Sequence, residues 1–470
     1  MLTFAGTAVM AGIITVHFGL INRGEWGGDD YTTFSGYLNG GLHYAWFRFW
    51  SWSPRPVSEL FYGLWVAAVL LSRRPLVIPL FFFGWIPFLA CAIPTLLHRK
   101  RDGMASHILG TTALLAFVLL GQDVFWVFYW SFGILAYMPV IALALYMLLS
   151  LINENPRPQF EPAGIVTSLV LVAVAWSSES GTLVVLVFSS MAMVYQFIRN
   201  RTGTSRMPIV ARWLPPIAAG LLVVAFSLFN HRAVDPMFPN GEAALYHHTL
   251  ASLWASAARL PSELMSPAGE PSGHLVLGMI VRMLFFAGIY CCWVTRDPAA
   301  RRDRHWLPIL ALALVTEMLL EIAATYRQFG TPCCGHHVEV RYGLGLVAFA
   351  AIAIWLPPIP RVPVRVLRAI APMLLVAATI PLLLPRYKDL ALDYQYYWEP
   401  GRLRAMTWES GFSPGPAMTL YQPVQDSVFS AQIPPGHQVA GDGWWVPGIL
   451  KFFGKESVDV VIVDEHKASN

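Results

Sequence analysis

Residues 2–21 read LTFAGTAVMAGIITVHFGLI and contain no Asp, Glu, Lys or Arg. A run of about 20 apolar residues is long enough to cross a bilayer as an α-helix. Runs of similar length recur at 76–97 and 133–152, and a shorter apolar run lies at 373–384. Hydrophobic residues form 56% of the chain and charged residues 13%, against about a quarter charged in soluble domains. The composition predicts a polytopic membrane protein and excludes a soluble enzyme.

The apolar runs predict an all-α membrane domain over residues 1–385 with about 11 to 12 membrane helices, because lipid cannot satisfy free backbone groups. The short run 57–71 ends at Ser72, Arg73 and Arg74. One more full crossing there would place the later basic loops on the external side of the membrane. We therefore expect this run to lie along the membrane or to be half inserted. The predicted crossings cover residues 2–21, 76–97, 106–121, 133–152, 165–176, 182–198, 213–230, 274–294, 306–325, 342–356 and 370–384.

Short basic loops predict the orientation, because loops rich in Lys and Arg face the cytoplasm. Four such loops agree, at 98–102, 199–212, 296–305 and 361–368. This frame places the amino terminus and the four basic loops on the cytoplasmic side, and we expect the first helix to be retained. The net charge of +4 reports topology and does not indicate nucleic acid as a partner.

The polar tail, residues 386–470, is predicted to lie on the periplasmic side as a small α+β cap. Its VDVVIVD run, 458–464, predicts one buried strand, and KFFGK at 451–455 predicts a helix before it. About 85 residues can build only a modest core. We therefore expect the tail to be stabilised by docking on the membrane domain.

The first external loop, residues 22–56, contains the adjacent carboxylates Asp29 and Asp30. Such a pair could bind a divalent cation or accept a proton from an attacking hydroxyl. The alternative is that both cap a helix that starts near Tyr31. Farther along, Arg55 lies between Pro54 and Pro56. A guanidinium fixed in this way could bind a phosphate through two hydrogen bonds.

The order of four segments resembles the opening of bacterial GT-C glycosyltransferases. GDDY (28–31) follows the first helix, and SPRPVSE (53–59) enters the next apolar stretch. FYWSFGILAYMP (128–139) resembles an external aromatic turn of such enzymes, and WSSESG (176–181) resembles a short loop with one glutamate. The resemblance covers about the first 180 residues.

The resemblance implies a GT-C-like fold in a bacterial inner membrane and an inverting hexosyl- or pentosyltransferase. The donor would be a sugar linked to polyprenyl phosphate, and the acceptor a lipid, glycan or protein outside the membrane. Asp29 or Asp30 would act as the base. A divalent cation could assist it, and no other cofactor is expected. The residues expected to bind substrate are Arg55, Tyr129, Glu179, Arg232, Arg327, His336, His337 and Arg341.

Several alternatives stay open on sequence grounds. Cations in the later external loops could neutralise a departing phosphate, and Glu179 could instead pair with the acidic residues of the first loop. CCGHH (333–337) is too tightly spaced for a tetrahedral zinc site. An O-antigen polymerase or ligase is the nearest alternative enzyme. A transporter is the third hypothesis, indicated by Glu317 and Glu321 four residues apart within one apolar run.

The orientation is testable by labelling single cysteines in a chain whose native cysteines are replaced by serine. Ser469→Cys should react with a membrane-impermeant maleimide in intact cells, whereas Thr204→Cys should react only after lysis. Protection at residue 469 together with labelling at residue 204 would invert the predicted orientation.

Overall fold

The computed structural model describes 17 segments of the chain and is 82% helical. Eight of the described helices are long and apolar enough to cross a membrane. The prediction of a multi-pass helical membrane protein is therefore confirmed. The described residues are 1–24, 26, 28–51, 54–96, 103–121, 123–153, 163–199, 207–229, 254, 257–258, 260–261, 274–296, 303–329, 335–395, 399–423, 434–443 and 445–463.

Helices follow one another along most of the described chain, and two short 3₁₀ helices, Ile21–Arg23 and Asp303–His305, connect neighbours. The α-helices up to the middle of the chain are α1 (Leu2–Gly19), α2 (Gly28–Ser51), α3 (Pro56–Ser72), α4 (Ile78–Ala90), α5 (Ile93–Leu96), α6 (Met104–Leu119), α7 (Val124–Phe128), α8 (Ser131–Ala136), α9 (Met138–Asn153), α10 (Ala163–Ala175), α11 (Glu179–Arg199) and α12 (Met207–Phe229). The later ones are α13 (His274–Trp293), α14 (Trp306–Phe329), α15 (Gly335–Trp355), α16 (Val364–Gln395), α17 (Glu399–Phe412) and α18 (Val446–Phe453).

Three of the eleven predicted crossings coincide with shorter described helices. The run 76–97 forms α4, of 13 residues, and then breaks at Cys91. Pro87 lies inside α4, and a proline there removes a backbone hydrogen bond and bends the helix. The other two are α6, of 16 residues, and α10, of 13 residues. The run 57–71 forms α3, of 17 residues, and its depth in the membrane stays a prediction.

The first external loop is far more helical than the sequence indicated. Helix α2 begins at Gly28, three residues before the predicted start, and continues to Ser51. Gly41 interrupts it with φ 52° and ψ −137°, a left-handed conformation that glycine adopts without steric cost. The kink divides α2 into an arm that carries Asp30 and an arm rich in aromatic residues.

The tail forms a small α+β unit, as predicted. Its three-stranded sheet contains β1 (Ala417–Pro423), β2 (Gly436–Val439) and β3 (Ser457–Val463) in the order β1-β3-β2. Strand β3 is central, parallel to β1 and antiparallel to β2. Its Val458 and Val460 are buried. The predicted strand and the helix before it are therefore confirmed, but the strand is buried on one face only, since Val461 is 41% exposed.

The α+β unit docks on the amino-terminal arm of α2, which agrees with the expected docking on the membrane domain. Phe453 of α18 lies 5.9 Å from the ring of Tyr31, and Phe452 lies 5.6 Å from Phe34. The guanidinium of Arg404 donates to the Gly24 carbonyl at 2.5 Å. These contacts place the unit beside Asp30, whereas its location outside the membrane stays a prediction.

Candidate functional site

A cluster of polar side chains lies where α15 begins. His337 and Arg341 are one helical turn apart, so their side chains share a face of α15. Both donate to Glu321 of α14, His337 from Nδ1 at 2.8 Å and Arg341 from Nη1 at 3.2 Å. Ser180 of α11 donates a third, short hydrogen bond to the same carboxylate. Glu321 therefore joins α11, α14 and α15 inside the bundle.

Arg55 lies at the amino end of α3 and forms an ion pair with Glu179. Its Nε donates to Glu179 Oε2 at 2.7 Å, and its Nη2 reaches the same oxygen at 2.5 Å. Its Nη2 also donates to the Tyr137 hydroxyl at 3.2 Å. Burial lowers the pKa of Arg55, but the Glu179 and Tyr137 oxygens raise it more, so the pKa lies above its ordinary value. Arg55 is therefore a permanent cation.

Local hydrogen bonds explain why Arg55 meets Glu179. The amide of Val57 donates to the Trp176 carbonyl at 3.1 Å, and the Ser58 hydroxyl donates to the Ser177 carbonyl at 2.5 Å. The Ser177 hydroxyl reaches the Ala136 carbonyl at 3.3 Å. The segments SPRPVSE, WSSESG and FYWSFGILAYMP, which carry the sequence resemblance, are therefore in direct contact.

Aromatic rings connect Arg55 to the start of α15. Tyr137 stacks on His336, with 4.4 Å between ring centroids, and Trp130 lies 5.7 Å from the same imidazole. The guanidinium of Arg55 lies 5.3 Å from the centre of the Phe132 ring. A cation beside aromatic rings is stabilised by their electron-rich faces. The ring cluster thus fixes Arg55 relative to His336.

Asp30 is tied to this cluster through Trp130. The indole Nε1 donates to Asp30 Oδ2 at 3.0 Å, and Asp30 is fully buried. This bond joins residues 100 positions apart. Asp30 therefore does more than cap the start of α2, which was the local alternative.

The partner of Glu179 differs from the one that a sequence-based hypothesis gave it. One hypothesis paired it with the acidic residues of the first loop, but its partner in the structure is Arg55. The reason is positional, because α11 begins at Glu179 and the 176–180 turn packs against the start of α3. A carboxylate in the first turn of a helix is also favoured by the helix dipole.

Tyr129 lies in the interior, against α1. Its hydroxyl donates to the His17 carbonyl at 2.8 Å and lies 3.0 Å from His17 Nδ1. In this conformation the side chain connects α1 to the turn before α8, so its role as a substrate contact stays a prediction. Arg232 lies outside the described residues, as do the side chains of Asp29 and Arg327.

Sequence reasoning missed four contributors to the site. Tyr137, Trp130 and Ser180 all lie in the segments quoted for the resemblance, so their position was the available signal. Arg48 gave a weaker signal within an aromatic stretch. Its Nε donates to Glu59 at 2.8 Å, and both side chains are buried.

The opposite face of α15 carries a second polar cluster. Glu339 accepts a hydrogen bond from the Asp123 amide at 3.1 Å. Arg282 of α13 lies over the Tyr342 ring at 4.4 Å. Burial raises the pKa of the Asp123 carboxyl, and the charges of Arg386 and Arg341 oppose this rise. The first two turns of α15 are therefore polar on two sides.

No group of three or more His, Cys, Asp or Glu side chains suited to hold a metal ion occurs within the described residues. The side chain of Asp29 is not among them. A divalent cation at the acidic pair therefore stays a prediction.

Comparisons of the chain with protein-family models, with curated proteins and with solved structures found no match. The fold and the cluster together define a multi-pass helical membrane protein with a buried, charge-paired polar site. Its function is inferred below from its own residues.

The Arg55–Glu179 pair should contribute to stability. Its Glu179 side chain is 29% exposed, whereas the His437–Asp459 pair is 61% and 50% exposed. We expect Glu179→Gln to lower the free energy of unfolding by about 1–3 kcal/mol, less than a fully buried pair would lose. Asp459→Asn, the matched control, should cost about 0.5 kcal/mol or less. Chemical denaturation in detergent measures both, and equal effects would contradict the described geometry.

Proposed function

We propose that this chain is an inverting membrane glycosyltransferase that moves a sugar from a polyprenyl phosphate to an acceptor on the external face. The observation that supports it most is convergence. Asp30, Arg55 and His336 come from segments far apart in sequence, yet Trp130, Phe132 and Tyr137 hold them in one cluster. A carboxylate that can act as the base and a fixed cation that can bind the phosphate are the two groups that such a transfer requires.

The cluster is built from helix ends. It contains the amino ends of α2, α3, α11 and α15 and the turns on both sides of α8. Helix ends lie near a membrane surface, where a lipid carrier presents its phosphate and sugar. The loops rich in Lys and Arg predict that the opposite surface faces the cytoplasm. This charge bias supports a site on the external side.

The chemistry is a single displacement at the anomeric carbon. A carboxylate of the pair Asp29/Asp30 takes the proton of the acceptor hydroxyl as its oxygen attacks. The new bond from oxygen to carbon forms while the bond from the anomeric carbon to the phosphate oxygen breaks. The polyprenyl phosphate leaves with the bonding electrons and needs no proton from the enzyme, because it is a stable anion.

Arg55 is the side chain best placed to bind that phosphate. Its present partner, Glu179, is partly exposed, so a phosphate can replace the carboxylate without leaving a buried charge alone. Arg341 is only 1% exposed and bound to Glu321. We therefore assign Arg341 to the positioning of Glu321, and leave phosphate binding to Arg55 and Arg327.

The transporter hypothesis retains one observation in its favour. Glu317 is fully buried within α14, as expected of a carboxyl group on an ion path. Glu321, the second residue that indicated it, is explained by its three hydrogen bonds between helices. An O-antigen polymerase or ligase would use the same kind of lipid carrier as the proposed transferase, and its glycan product would distinguish it.

Replacing the acidic pair tests the proposal. Asp29→Asn and Asp30→Asn preserve size and capping ability but remove the charge. We expect at least one of them to lower the transfer rate roughly 100-fold or more, the scale of a lost general base. The measurement compares glycans, by mass spectrometry, in cells that lack the chain and in cells that express each variant.

Asp459→Asn provides the control, because this aspartate is half exposed in the α+β unit. Membrane levels of every variant are measured beside the glycans. If both single variants and the double variant produced native glycans, the catalytic role of Asp29 and Asp30 would be contradicted.

A further inference from the structure

Glu317 is a buried acid that the proposed transfer does not use. It lies on α14 four residues before Glu321, about one helical turn away. It is 0% exposed, and neither carboxyl oxygen has a hydrogen-bond partner within the part of the chain that the structure describes. Glu321, by contrast, accepts from Ser180, His337 and Arg341. Two carboxyl groups on one helix face thus have opposite surroundings.

The depth of Glu317 makes an ionised form costly. The candidate span Trp306–Thr325 places Glu317 roughly 16 Å from its first residue and 12 Å from its last, at 1.5 Å per residue. Glu317 therefore lies well inside the candidate span and away from both of its ends. A carboxylate without hydrogen-bond donors in such a place is strongly disfavoured against its neutral form.

Charge balance leads to the same conclusion. Among the described residues, the charged side chains that act on Glu317 are those of Glu321 and Arg341. These two already neutralise each other, with 3.2 Å between Arg341 Nη1 and Glu321 Oε2. An ionised Glu317 would leave one negative charge unbalanced. A proton on His337 would balance this negative charge. Because His337 donates to Glu321, Glu317 would still have no hydrogen-bond donor.

We propose that Glu317 is a proton-binding site, which carries one resident proton inside the helix bundle and is therefore neutral. The ligand is a proton, and no other group is required. A neutral Glu317 does not compete with Glu321 for Arg341. The proton thereby keeps Arg341 and His337 on Glu321, where they are needed to position the start of α15. This inference does not depend on sugar transfer.

Infrared difference spectroscopy tests the proposal on the purified full-length protein in detergent at neutral pH. Subtracting the spectrum of Glu317→Gln from that of the native protein should leave the carbonyl band of a protonated carboxylic acid. The control is Glu409→Gln, which removes an exposed glutamate and should leave only carboxylate bands. A carboxylate band in the Glu317→Gln difference would overturn the proposal.

Thermal unfolding is the second measurement. Glu317→Gln replaces one neutral group by another of equal size, so its melting temperature should stay within about 2 °C of the native value. Glu321→Gln removes an ionised acceptor and should lower the melting temperature by about 5 °C or more. A change above about 5 °C in either direction for Glu317→Gln would mean that an ionised group was lost.

Glu317→Met covers the case in which glutamine disturbs the packing. It has similar length and no hydrogen-bonding group. If Glu317 is neutral, at least one of the two variants accumulates in the membrane at the native level. Failure of both would show that a charge at this position is required, which contradicts a resident proton.

Discussion

The hydrogen bonds that Glu321 accepts from Ser180, His337 and Arg341 are the interaction on which the site depends. They join α11, α14 and α15 within a bundle whose helices are otherwise mostly apolar. In lipid, a polar group without a hydrogen-bond partner lowers the stability by several kcal/mol. This cost favours the observed arrangement of the three helices, because it supplies the Glu321 carboxylate with three hydrogen-bond donors. The start of α15 is fixed as a result.

A fixed α15 determines where the other groups lie. His336, next to His337, becomes the surface on which Tyr137 stacks, and Tyr137 in turn binds Arg55. Trp130 extends the same cluster to Asp30. The α+β unit then packs on the arm of α2 that carries Asp30. A small change in the hydrogen bonds of Glu321 would therefore change the position of Asp30, although the two residues are far apart in sequence.

The sequence was sufficient for a multi-pass helical membrane protein with a small α+β unit, because apolar length and the placement of charge are local signals. It correctly indicated the strand at 457–463 and the helix before it. It could not give the partner of Glu179, since pairing with Arg55 depends on how two turns pack 124 residues apart. The extent of the helix over residues 28–51 was missed, because Gly41 and many aromatic residues are typical of an interfacial loop. The proline in α4 was visible, but its effect on the length of the crossing was underestimated.

A structure of the protein in a lipid nanodisc, determined by electron cryomicroscopy with a non-hydrolysable polyprenyl-phosphate sugar, would test the central claim most directly. The claim is that Asp30, Arg55 and His336 surround one substrate site. The account predicts phosphate density in contact with the Arg55 guanidinium and sugar density between Arg55 and the first turn of α2. Phosphate density at the opposite ends of the helices, beside the basic loops, would contradict it.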